Sequence, residues 1–229
     1  MDFNEKEFKK MVRKANVKQT SIGVFMTLLI LIFIIGVISL PMLNHYNYIS
    51  FGNKEIPKVK GLPDESIRSL DMSEGYLGLL FDQSGGFEIN KNVKEMNVYV
   101  DYYVKGELQQ HDLIYGALAD ENEMEFNGVF YWGISNEGKK LSSSFTSTNG
   151  TKTKGGDYDL SGLKLSEWTG ATFTNPDGLV KNIPDKYLLL KYVKNEKGMV
   201  SSYSDQLEEF KENRIKENDE LMLFYVEFK

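Results

Sequence analysis

Residues 96–104 read MNVYVDYYV, and residues 108–118 follow as LQQHDLIYGAL. The first run is β-branched and aromatic with polar side chains interleaved, the composition of a half-buried strand. Val98, Val100 and Tyr102 fall on one face, and Asn97, Tyr99, Asp101 and Tyr103 on the other, so one side of the sheet is expected to rest on a core. Between the runs, Lys105 and Gly106 supply a two-residue connection of the kind that closes an antiparallel hairpin. This pair of strands sets the class of the chain as mainly β.

Working outward, residues 76–81 (YLGLLF), 129–135 (VFYWGIS), 140–147 (KLSSSFTS), 186–193 (KYLLLKYV) and 220–228 (ELMLFYVEF) read as further strands. Residues 136–138 turn the chain between two of them. A helix is expected over 205–216, capped by Ser204, with Leu207, Phe210 and Ile215 available for packing. Residues 63–70 (PDESIRSL) predict a short helix, because proline suits its first turn and the acidic pair suits its N-terminus. Residues 148–183 carry six glycines and many Ser and Thr, and read as long loops between short strands. The expected fold of residues 63–229 is an extracytoplasmic antiparallel β-sandwich-like domain with one C-terminal helix.

Ahead of this domain stands a different kind of sequence. Residues 22–40 (IGVFMTLLILIFIIGVISL) hold no charge, and only Thr27 and Ser39 interrupt the apolar run. With flanking residues, the segment 21–43 is long enough to cross a hydrocarbon core of about 30 Å as a helix. The run exceeds the length of a signal-peptide core and lacks an A-x-A cleavage site, so it is read as a retained transmembrane helix. The six basic residues before it, against three acidic ones, place the N-terminus in the cytoplasm and the β domain outside. Residues 44–62, with Tyr46, Tyr48 and Phe51 suited to an interface, form a membrane-proximal tether.

Residues 1–20 form a patterned arm. Lys6, Lys9, Lys10 and Arg13 recur at helical spacing, and Phe8, Met11, Val12 and Ala15 repeat on the opposite face. Such a basic amphipathic helix is expected to meet anionic membrane lipid, and the four basic residues are also a candidate docking surface for a cytoplasmic partner. The stretch EFKKMVRKANVKQTSIGVFMTLLILIFIIG resembles the N-terminal segment of sigma factor regulator proteins of Gram-positive bacteria. That resemblance implies a membrane regulator of the anti-sigma type, tied to extracytoplasmic stress signalling through an exported sensory domain.

Chemistry is sparse. The chain of 229 residues has no cysteine and two histidines, His45 and His111, which removes thiol nucleophiles, disulfides and His-rich metal clusters. The motifs G-x-S-x-G, G-x-x-x-x-G-K-[ST], G-x-G-x-x-G and H-E-x-x-H are absent, so no enzyme and no cofactor are expected. Residues 157–162 (DYDLSG) open like a calcium loop through Asp157 and Asp159, but Trp168 stands where a bidentate glutamate is required. An Asx-rich loop is the expected form, and residues 120–125 (DENEME) read as a solvated acidic loop. Residues 44–229 carry 21 basic against 30 acidic side chains, which argues against nucleic acid as a partner.

The expected function is that of a membrane-anchored, non-enzymatic binding or regulatory protein whose extracytoplasmic domain senses or scaffolds an envelope partner, a membrane or envelope protein. Tyr131, Trp132 and Trp168 are its candidate platforms on the β domain, since aromatic side chains anchor many interfaces. Two alternatives share the architecture: an accessory subunit of a membrane transporter or signalling complex, and an anchored hydrolase working through carboxylates such as Asp101, Glu121, Glu123 and Glu125.

Overall fold

The structure, a computed structural model, describes residues 5–49, 58–70, 80–119, 125–135, 137–163, 165, 168–172, 178–195 and 208–229. The chain divides into two units, Met1–Phe51 and Gly52–Lys229. The first holds one uninterrupted helix, Glu5–His45, of 41 residues. At about 1.5 Å per residue it runs roughly 60 Å, so the basic arm and the apolar segment form a single rod. The helix is long and apolar enough to cross a membrane. Inside the apolar stretch, Thr27 Oγ1 donates to the Gly23 carbonyl at 3.0 Å, so this hydroxyl is satisfied without leaving its own helix.

The second unit is built from two antiparallel sheets. The first joins β1 (Ser66–Leu70), β2 (Gln83–Lys91), β5 (Phe126–Ser135), β6 (Lys140–Ser147), β7 (Lys152–Lys154), β8 (Tyr158–Asp159) and β10 (Leu179–Lys181). Its order is β10-β1-β2-β5-β6-β7, with β8 also paired to β6. The second sheet joins β3 (Glu95–Val104), β4 (Glu107–Leu118), β9 (Thr169–Thr172), β11 (Lys186–Lys194) and β12 (Glu220–Phe228), in the order β4-β3-β12-β11-β9. The β3–β4 hairpin closes as expected: Lys105 and Gly106 both take positive φ, 50° and 83°, which matches the twist of the strands they join.

One apolar core draws on both sheets. Ile67, Phe87, Phe130, Ile134 and Leu141 come from the first, and Val98, Val100, Leu190, Phe224 and Val226 from the second. Rings meet across the gap: Trp132 packs edge-on against Phe224 at 5.4 Å, and Phe87 against Tyr187 at 6.3 Å. The outer face of the second sheet is covered too. There Leu188, Val193, Leu221, Leu223 and Tyr225 form a second cluster beneath Phe210 and Ile215. Burial on both faces explains why ELMLFYVEF is apolar almost throughout and shows no alternation.

Several expectations change. Residues 63–70 do not form a helix: Ser66–Leu70 is a strand, paired with both β2 and β10, because its alternating Ile67 reaches the core. Strand β2 (QSGGFEINK) carries too many polar and glycine residues to announce itself, and it is held by its neighbours instead. The C-terminal helix is shorter than 205–216; within the described residues it is a 3-10 turn, Glu208–Phe210, followed by the five-residue helix Glu212–Lys216. Val59 and Leu62, placed in the tether, are buried on the β domain, where Asn90 Oδ1 accepts from Val59 N at 2.8 Å and Asn90 Nδ2 donates to the Leu62 carbonyl at 2.7 Å. Most of the expected strand 76–81, the acidic run 120–124 and the cap at Ser204 lie outside the described residues.

Candidate functional site

The side chains singled out in the sequence separate into surface and core. Trp132 and Trp168 are both more than nine-tenths buried, so neither ring is a docking platform. Alternation along β5 turns Trp132 inward, and Tyr131 outward with Val129 and Gly133. Tyr131 is the one of the three aromatic residues left at a surface. On the first unit, Lys6, Lys9, Lys10 and Arg13 are exposed along the helix, and Lys9 pairs with Glu5 one turn back at 2.8 Å.

Around Tyr131 the outer face of the first sheet hollows into a groove of about 500 Å³. Phe81 and Tyr131 form its aromatic wall over β5, Gly133 and the β6 residues Ser142 and Ser144 its floor, and Lys152 and Lys154 on β7 the opposite rim. Pairing of β6 with β7 sets the lysines there, because Ser144 faces Lys154 and Thr146 faces Lys152, placing all four side chains on one face. Two glycines make room for the rings. A Cβ at Gly133 would collide with the Phe81 ring, and one at Gly86 would stand 3.2 Å from Tyr131 Cδ1 and closer still to the Phe130 carbonyl. On the core side, Gly85 makes the same concession to Trp132.

The charge of the groove follows from what its neighbours already hold. Asp157 is the nearby carboxylate, and it is occupied: Ser142 Oγ donates to it at 2.7 Å and Lys140 Nζ lies 2.9 Å away. The Ser142 hydrogen bond, then Lys140, hold its pKa below the ordinary value, with Lys154 adding a weaker pull. Among the described residues neither Lys152 nor Lys154 has an ion-pair partner, so the rim keeps two cations. Asp159, the other carboxylate of the calcium-like sequence, accepts from Ser161 N at 2.9 Å in an Asx turn.

A polar cluster that the sequence did not reveal sits on the outer face of the second sheet. Asp101 is buried, and its Oδ1 lies 2.6 Å from His111 Nδ1 directly across the hairpin. Its Oδ2 accepts from the hydroxyls of Tyr103 at 3.1 Å and Tyr225 at 3.2 Å. The imidazole, half exposed, stacks on Tyr99 with ring centres 4.6 Å apart. Register shifts between Val98 and Tyr99 and between Tyr102 and Tyr103 flank this arrangement, and such irregularities re-aim side chains. Burial first, then the Asp101 charge, pushes both phenols above their ordinary range. Aspartate, histidine and two phenols thus satisfy one another, and among the described residues no serine or threonine hydroxyl is hydrogen-bonded to His111. The arrangement fastens β3, β4 and β12 to one another.

The chain thus joins a long apolar helix to a unit of two antiparallel sheets that carries an aromatic groove rimmed with lysine. The YgaN domain family matches residues 71–228, over two thirds of the chain, and the chain belongs to that family. No curated protein and no solved structure matches it.

Proposed function

We propose that this protein is a membrane-anchored, non-enzymatic binding or regulatory module whose sandwich-like β domain stands outside the membrane and holds an envelope protein at the groove around Tyr131. The observation that carries this reading is the groove itself: two rings seated on glycine, with two lysines on the opposite rim that have no ion-pair partner among the described residues. Aromatic side chains at the centre of a patch supply most of the affinity of an interface, and charges at its rim steer acidic partners. The excess of basic residues before the apolar segment supports an N-terminus inside. The exposed basic arm also suits a regulatory contact in the cytoplasm, in line with its resemblance to sigma factor regulators.

The test is a photo-crosslinking amino acid at position 131 of the full-length protein in its native membrane. One specific adduct, lost when Lys152 and Lys154 are both changed to Glu, is the expected result. Turnover of peptide or glycan substrates by the purified protein, abolished by replacing a single carboxylate, would replace this reading with that of an anchored hydrolase.

A further inference from the structure

The lysine rim of the groove is also the free edge of its sheet: β7 pairs with β6 on one side and, among the described residues, with no strand on the other. Two hydrogen bonds fix which way its backbone points. Ser147 N donates to the Thr151 carbonyl at 2.8 Å, and Gly155 N donates to the Ser143 carbonyl at 2.9 Å. An antiparallel ladder joins every second residue to the same neighbour, so Thr151, Thr153 and Gly155 bond to β6 while Lys152 and Lys154 turn their N–H and C=O groups outward. Side chains alternate as well: Thr153 shares the core-side face with its cross-strand partner Phe145, and Lys152 and Lys154 lie over the groove. All three residues of β7 are exposed. The same two residues, about 7 Å apart along an extended strand, therefore present open backbone groups at the edge and ammonium groups beside it.

We infer that β7 takes an added strand: an extended segment of the partner protein whose carboxylates stand at alternate positions, opposite Lys152 and Lys154. This rests on the reading of the groove as a protein-binding site and names the part of the partner that meets it. An incoming strand can close about four main-chain hydrogen bonds with the two residues. In such complexes main-chain bonding supplies affinity and alternate side chains supply specificity. The charge of the edge selects the occupant. Neither lysine has an ion-pair partner among the described residues, and the nearby Asp157 is held by Ser142 and Lys140. Lysines on an edge ordinarily repel unwanted pairing. A second copy of β7 would set lysine against lysine, so the edge disfavours its own kind and admits an acidic strand. Inward from the lysines, the small side chains of Ser142 and Ser144 leave the floor open toward Phe81 and Tyr131, where residues flanking the added strand fit.

Amide hydrogen exchange followed by NMR on the full-length protein in detergent tests the assignment with two peptides, one of alternating glutamate and valine and one of alternating lysine and valine. Without peptide, the amides of Lys152 and Lys154 should exchange fast and that of Thr153 slowly; slow exchange at 152 and 154 would contradict a free edge. The glutamate peptide at millimolar concentration is expected to bind and to slow exchange at 152 and 154 about tenfold or more, and the lysine peptide to do neither. Lys152→Pro removes an outward N–H that β6 does not use, so it should weaken binding about tenfold, whereas Lys152→Gln, which removes only the charge, should weaken it about threefold. Should the proline variant melt lower than Lys152→Gln, the exchange measurement on the native protein decides alone. Binding that leaves both amides fast would overturn strand addition, and equal binding of the lysine peptide would overturn the acidic class. No binding of the glutamate peptide would overturn the inference as well, while the groove reading is judged apart from it by the adduct at position 131. Inorganic polyphosphate binding more tightly than the peptide, with both amides still fast, would assign the lysines to a phosphate polymer instead.

Discussion

The ring of Phe81 occupies the space that a β-carbon at Gly133 would need. Neighbouring strands usually cover glycine by close approach of backbone, but here an aromatic side chain from outside the strand does so, and in doing so it builds one wall of the groove. Floor and wall therefore depend on each other. Gly133→Ala is expected to push the ring aside at a cost of about 1–3 kcal/mol, the usual range for overpacking. Thermal unfolding should register the loss, and crosslinking from position 131 should fall more steeply than stability does.

Asp101 is the acceptor on which three donors converge. Replacing it with alanine strands the buried Tyr225 phenol and the partly buried Tyr103 phenol and frees the imidazole, so a loss of about 2–3 kcal/mol in urea unfolding is expected. His111→Ala, at a half-exposed position, should cost less than about 1 kcal/mol. Equal losses in the two variants would show that the histidine, and not the phenols, anchors the carboxylate.

Lys191 and Glu209 form an ion pair at 2.6 Å with both side chains almost wholly buried, and it fixes the C-terminal segment onto the second sheet. Lys191→Met alone leaves a buried carboxylate without its cation and should destabilise by about 3–5 kcal/mol. The double variant Lys191→Met with Glu209→Leu should recover most of that loss, because desolvation no longer opposes packing. A double variant as unstable as the single one would assign the effect to other contacts of the lysine.

Glu220 sits at the start of β12. Burial alone would raise its pKa, but hydrogen bonds from Tyr102, at 2.6 Å, and from Lys194 bring it below the ordinary value of 4.5. A depressed carboxylate stabilises the fold above its unfolded value, and that contribution disappears as pH falls through the folded one. Acid unfolding of the native protein should therefore contain a component below about pH 4.5 that Glu220→Gln removes. Burial, and then the hydrogen bond to Glu220 and its charge, push the Tyr102 phenol up to about 12, so its ionisation in alkali should lag behind that of exposed tyrosines.

Parts of this molecule were legible because their causes are local. The hairpin at Lys105 and Gly106, the alternation of MNVYVDYYV and the uncharged run before it each follow from residues adjacent in sequence. The rest depends on partners far along the chain. Ser66–Leu70 looked like a helix start because Pro63 and Asp64 precede it, and pairing with β2 and β10 decided otherwise. Strand β2 hides two glycines whose room is taken by Trp132 and Tyr131, more than forty residues away. For the same reason the candidate platform narrowed: adjacent Tyr131 and Trp132 face opposite sides of one strand, and only the sheet tells which side is covered. Sequence alternation places Asp101 on the face of Asn97, Tyr99 and Tyr103, but its closure by His111, Tyr103 and Tyr225 depends on the register of three strands.

The central claim, a β domain outside the membrane with its groove engaged, can be tested by one labelling experiment, which the absence of native cysteine makes clean. Tyr131→Cys and Leu108→Cys are each treated with a membrane-impermeant maleimide, in intact cells and after purification; Leu108 is 52% exposed on β4, on the other sheet. The account predicts that the cysteine at position 108 reacts in both settings, whereas that at 131 reacts only once the protein has been purified away from its partner. Failure of position 108 to react in intact cells would contradict the orientation, and equal labelling of both positions in cells would contradict an occupied groove.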